Sequence, residues 1–121
     1  MDSLQLIKQA VLFADEKKAE NTVVLKVSKV VSYTDYILIS EAQSTKQVQA
    51  ISKNILSEMT KLNRKPIGVE GTENGLWVLI DYGDIVIHLF LNSIRSLYDI
   101  ENFWLNAERI STGLSAHSSA M

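Results

Sequence analysis

No cysteine occurs among the 121 residues, which excludes disulfides, thiolate metal sites and thiol catalysis. A reducing compartment such as the cytosol is thereby permitted. A long apolar run is missing as well. A spanning helix needs about eighteen apolar residues, whereas "IVIHLFL" is short and contains His88. The first residues, "MDSLQLIKQA", have neither the basic flank of a secretory signal nor the arginine-rich, acid-poor character of a transit peptide, so no targeting segment is expected. Excess positive charge is also lacking. A net charge of −2 argues against DNA or another nucleic acid as the main partner, because neutralising phosphates calls for a basic face. The best local cations, Lys61, Arg64 and Lys65, surround the end of a predicted helix, where positive charge opposes the helix dipole. The expectation is a soluble, cytoplasmic protein.

What is present describes one ordinary globular domain: 46% hydrophobic, 21% charged and a single proline. Asp2 and Gln5 can form a capping box, and Leu4, Ile7, Val11 and Ala14 mark one stripe, which predicts a helix over about 3–18. "TVVLKV" (22–27) and "DYILIS" (35–40) read as strands. Ser44 and Gln47 offer a second capping box before Val48, Ile51, Ile55, Met59 and Leu62, and this helix should stop near Asn63 because Pro66 cannot continue it. "PIGVEG" leads to two strands within "LWVLIDYGDIVIHLFL", split at Tyr82-Gly83. Asn92 or Ser93 can cap a last helix carrying Ile94, Leu97, Glu101, Trp104 and Leu105. The predicted fold is α/β or α+β over residues 1–110: one five-stranded mixed sheet with flanking helices. Residues 111–121 are small and polar and read as a frayed tail, and His117 within it carries no assigned role.

"WVLIDYGDIVIHLF" concentrates the unusual residues. A turn centred on Tyr82-Gly83 pairs Asp81 with Asp84, Leu79 with Val86 and Trp77 with His88. Val78, Ile80, Ile85, Ile87 and Leu89 then form a wholly apolar core face, and Trp77, Leu79, Asp81, Asp84, Val86, His88 and Phe90 a mixed one. As metal ligands Asp81, Asp84 and His88 lack a convincing fourth partner, and aspartate flanking a turn is favoured for its own hydrogen bonding. His88 as a general base lacks an identifiable nucleophile. Trp77 suits either a core or an interface, where tryptophan often anchors a partner.

"SYTDYILIS", "STKQVQAIS", "PIGVEG", "GLWVLIDYGDIVIHLF" and "RSLYDIENFW", in this order and spacing, resemble the ribosomal silencing factor family, also called Iojap-like or RsfS. The similarity spans about Leu4 to Trp104. It implies a mixed sheet with flanking helices in a nucleotidyltransferase-like topology without catalytic equipment, and no cofactor. It further implies binding to protein fourteen of the large ribosomal subunit, which blocks joining of the small subunit when nutrients are short. The family pattern falls on Thr34, Asp35, Tyr36, Glu70, Gly71, Trp77, Asp81, Gly83, His88, Arg95, Tyr98, Glu101 and Trp104. The expected partner-binding residues are Trp77, Asp81, His88, Arg95, Tyr98 and Glu101. Each also has a local reading: Thr34 and Asp35 ordering a turn, Gly71 and Gly83 supplying backbone freedom, Arg95 pairing with Asp99, and Trp104 packing its helix. Nucleotidyl transfer needs paired strand acids for metal ions, yet Ile37 stands two residues after Asp35 where a second would belong. A homodimer formed through the mixed face is the other alternative, as an adaptor or as a way of hiding the binding face.

Overall fold

The structure, a computed structural model, describes residues 1–114, so the expected tail beyond residue 114, with His117, lies outside the described residues. Helix α1 covers Ser3–Glu16 and begins with the expected capping box, in which Asp2 accepts the Gln5 N–H at 2.8 Å and Gln5 accepts the Asp2 N–H at 2.9 Å. Helix α2 covers Thr45–Lys61, with Ser44 accepting the Gln47 N–H at 3.1 Å. Here the reciprocal bond is not made. The Gln47 amide instead donates to the Lys17 and Lys18 carbonyls, tying the start of α2 to the end of α1.

Six strands, one more than expected, form a mixed sheet in the order β3-β4-β5-β2-β1-β6. Strand β1 (Glu20–Lys26) runs antiparallel to β2 (Tyr36–Ala42), which lies parallel to β5 (Ile85–Leu91). Strands β4 (Trp77–Asp81) and β3 (Gly68–Glu70) complete one side by antiparallel pairing. The addition is β6 (Glu108–Ile110), which pairs with β1 through Val24 and Ile110. Three residues carry too little alternation to be read as a strand. What selects them is the otherwise bare edge of β1.

Alternation sorts the sheet into two faces. Leu38, Val78, Ile80, Ile85, Ile87 and Leu89 pack against α1 and α2 in the main core. Leu25, Val27, Ile37, Ile39 and Phe90 form a second cluster on the opposite face, under Ile94, Ile100, Trp104 and Ala107.

Those covering residues do not come from one helix. Helix α3 covers Asn92–Tyr98, Asp99 adopts φ +42°, and a 3-10 helix follows at Ile100–Trp104. The expected long helix is therefore broken, and the left-handed residue turns the chain back so that Ile100 and Trp104 reach the second cluster. Neither Asn92 nor Ser93 is its cap. Leu91 occupies that position without a side-chain bond, while Asn92 accepts the Ser93 N–H and donates to Gln43.

The β4–β5 register differs by two residues from the expected one: Leu79 opposes His88, Trp77 opposes Phe90, and Asp81 opposes Val86. An even shift leaves every side chain on its face. The turn lies one residue further along, since the Tyr82 N–H donates to the Ile85 carbonyl at 2.9 Å and puts Gly83 and Asp84 at its tip, where Asp84 is engaged elsewhere. Its carbonyl accepts the Asp35 N–H at 2.9 Å and its carboxylate meets Arg64 at 2.7 Å. Arg64, assigned above to the end of a helix, thus clamps the hairpin turn.

Candidate partner-binding surface

The second face of β4 and β5 carries an aromatic group only partly covered by the chain. Phe90, fully buried, is its floor. Trp77 stacks on Phe90 with centroids 4.9 Å apart, and Tyr98, half-exposed at the end of α3, leans on Trp77 at 5.0 Å. The Trp77 Nε1–H donates to His88 Nδ1 at 3.0 Å. Burial lowers the His88 pKa from 6.5 to about 4, so the ring is neutral near pH 7. With its Nδ1 lone pair bound to the indole, His88 has little to offer as a base.

Beside this group lies a groove of about 380 Å³ with Ile37, Leu79 and Val86 on its lining and Asp81 and His88 as its polar members. Tyr33 and Ile67, both well exposed, and Trp104 also border it. Asp81 accepts the Gly83 N–H at 2.7 Å, and Gly83 adopts φ +88° as the turn requires. Asp81, Asp84 and His88 therefore serve three separate partners: the turn, Arg64 and Trp77.

Arg95 and Glu101 are placed differently. The Arg95 guanidinium, 11% exposed, donates to Glu41 at 3.0 Å, to Glu101 at 2.8 and 3.1 Å, and to the Asn21 carbonyl at 2.6 Å. Arg109 adds a 3.3 Å contact to Glu101. The pairing of Arg95 with Asp99 is not formed. Instead one arginine fastens α3 and the 3-10 helix to the end of β2, which holds Tyr98 against Trp77.

The other motif residues frame this surface. The Asp35 carbonyl accepts the Val27 N–H at 2.8 Å, Tyr36 opens β2, and Thr34 is buried beside them. Glu70 is exposed at the end of β3. Gly71 adopts φ +84°, and a Cβ there would collide with the Trp77 carbonyl oxygen. Trp104 is partly buried against the second cluster, as expected of a packing residue.

A family model described as "Ribosomal silencing factor during starvation" matches residues 1–120. The chain belongs to this family. Ribosomal silencing factor RsfS of Bacillus subtilis is 35% identical over 107 residues, covering 88% of this chain and 91% of that protein. Protein Iojap of Zea mays chloroplasts is 36% identical over 100 residues, covering 80% of this chain and 42% of that longer protein. A crystal structure of a protein from Chromobacterium violaceum superposes with a TM-score of 0.85 at 28% identity, each chain covered completely. Relatives from Halalkalibacterium halodurans and Chromobacterium violaceum are likewise named ribosomal silencing factors. Alternation places Phe90 on this face from sequence, and Glu41 sits at the right parity of β2 to have been found in the same way. Leu97 and Leu105, expected on the stripe of a last helix, are exposed together with Phe103, and nothing local marks them as surface residues.

Proposed function

We propose that this chain binds ribosomal protein fourteen of the large subunit through the second face of β4 and β5, and so blocks joining of the small subunit. Translation is thereby repressed in the cytoplasm when nutrients are short. The observation that carries this reading is the partly uncovered aromatic group: an indole held on a buried phenylalanine, with a half-exposed tyrosine beside it. Large aromatic side chains that are already ordered give up little entropy on binding and are enriched among residues dominating interface energetics. Asp81 and Glu70 border the group and suit a basic partner by charge. Arg95 and Glu101 act from within the fold, holding Tyr98 in place. The mechanism is steric, with no bond made or broken.

Calorimetric titration of purified ribosomal protein fourteen into the unmutated chain and into a Trp77→Ala, Tyr98→Ala double variant tests this. The expected result is one-to-one binding, weakened by at least about thirtyfold in the variant, as for two residues near the centre of an interface. Equal affinity for both chains, or no binding of the unmutated one, overturns the proposal.

A further inference from the structure

Trp77 has three neighbours in the aromatic group, and they constrain it differently. Stacking on Phe90 and leaning against Tyr98 are tolerant of rotation and sliding. The hydrogen bond from Nε1–H to His88 Nδ1 at 3.0 Å is directional. His88 in turn is oriented from below. Its ring lies nearly parallel to that of Phe90, at 11°, and its backbone opposes Leu79 in the ladder. Because Nδ1 accepts, the neutral ring carries its proton on Nε2.

We propose that His88 is a positioning residue for partner binding: by accepting the Trp77 indole N–H it fixes the indole face that the partner meets, without itself touching the partner. The proposal rests on the partner reading above. It differs from the expectation that His88 is a contact residue. A tryptophan free to turn must be ordered when the partner arrives, whereas a fastened one has been ordered by folding.

Asparagine and glutamine separate the two ring nitrogens. The asparagine side-chain oxygen can stand near the position of Nδ1, and the glutamine amide group near that of Nε2. His88→Asn, His88→Gln and His88→Leu are compared by the indole resonances of the free protein and by affinity for isolated large subunits. The chain has two tryptophans, so Trp104→Phe assigns the signal of Trp77. His88→Asn is expected to keep the Trp77 indole proton displaced and protected from exchange, with affinity close to that of the unmutated chain. His88→Gln and His88→Leu should lose that signature and bind about five- to tenfold more weakly.

If glutamine restores affinity and asparagine does not, Nε2 meets the partner directly and the proposal fails. An indole resonance unmoved by His88→Leu overturns it as well. Should leucine unfold the chain, the asparagine and glutamine pair still decides. When the resonance follows the variants but the unmutated chain ignores large subunits, the partner reading falls and the positioning role falls with it, leaving a hydrogen bond confined to the fold.

Discussion

Replacing Arg95 with methionine removes the guanidinium that ties the covering segment to the end of β2. Its partners, Glu41 and Glu101, retain side-chain exposures of 14% and 25%, so Glu41 loses its counter-charge and Glu101 its nearer one in a site from which water is largely excluded. Breaking a fully buried pair costs about 3–5 kcal/mol. Residual exposure, and the contact Glu101 keeps with Arg109, reduce this to about 2–3 kcal/mol. Much of the loss should be local. Ile94, Ile100 and Trp104 cover the second cluster only while α3 and the 3-10 helix stay docked. Urea unfolding measures the total, and amide exchange at residues 94–107 measures the local share. Neutralising both acids together, as Arg95→Met with Glu41→Gln and Glu101→Gln, should recover about half or more of the lost stability, because no uncompensated charge remains. A cost below about 1 kcal/mol for the single change, or no recovery in the triple one, refutes the argument.

Three further outcomes follow from buried groups and a strained turn. His88 has a folded pKa of about 4 against 6.5 when unfolded, so protons favour the unfolded chain as pH falls. Its contribution is fully present above pH 6.5 and declines to a deficit of about 3 kcal/mol at pH 4, a slope that unfolding measurements should find in the unmutated chain and not in His88→Asn. Tyr82 has a buried hydroxyl with no hydrogen-bond partner among the described residues, and burial pushes its pKa up to about 12. Tyr82→Phe should leave the thermal midpoint unchanged or raise stability by up to about 1 kcal/mol, whereas a clear loss would show that the hydroxyl is satisfied. Gly71→Ala should cost about 2 kcal/mol or more by urea titration, since its positive φ and the nearby Trp77 carbonyl both resist a Cβ. It should also weaken partner binding by shifting Trp77, and an alanine variant of full stability would contradict this account.

How far the sequence foretold these features depended on the range over which each is determined. Helices α1 and α2 announce themselves through caps and spacing that involve neighbours along the chain, and both appear nearly where expected. The division of β4 and β5 into a core face and a mixed face was legible because parity survives a register error of two. Register itself was not, since it turns on Asp84 being claimed by Arg64 and Asp35, residues distant in sequence. The same holds for the break at Asp99. Helical spacing continues through Glu101 and Trp104, and only the second cluster and the Arg95 network explain why the chain turns there. Trp77, Tyr98 and His88 are legible from sequence as candidates, whereas their mutual contacts are not. Sequence placed Trp77 opposite His88, whereas the structure places it opposite Phe90 and within hydrogen-bonding reach of His88 on the diagonal.

Subunit joining measures the central claim most directly. Isolated large and small subunits are mixed while light scattering follows the formation of whole ribosomes, with and without a molar excess of the chain. The unmutated protein should suppress joining when incubated first with large subunits, and the Trp77→Ala, Tyr98→Ala variant should not. Undiminished joining in the presence of a chain seen to be bound to the large subunit would contradict it, because occupation of the surface would then leave the small subunit free to dock.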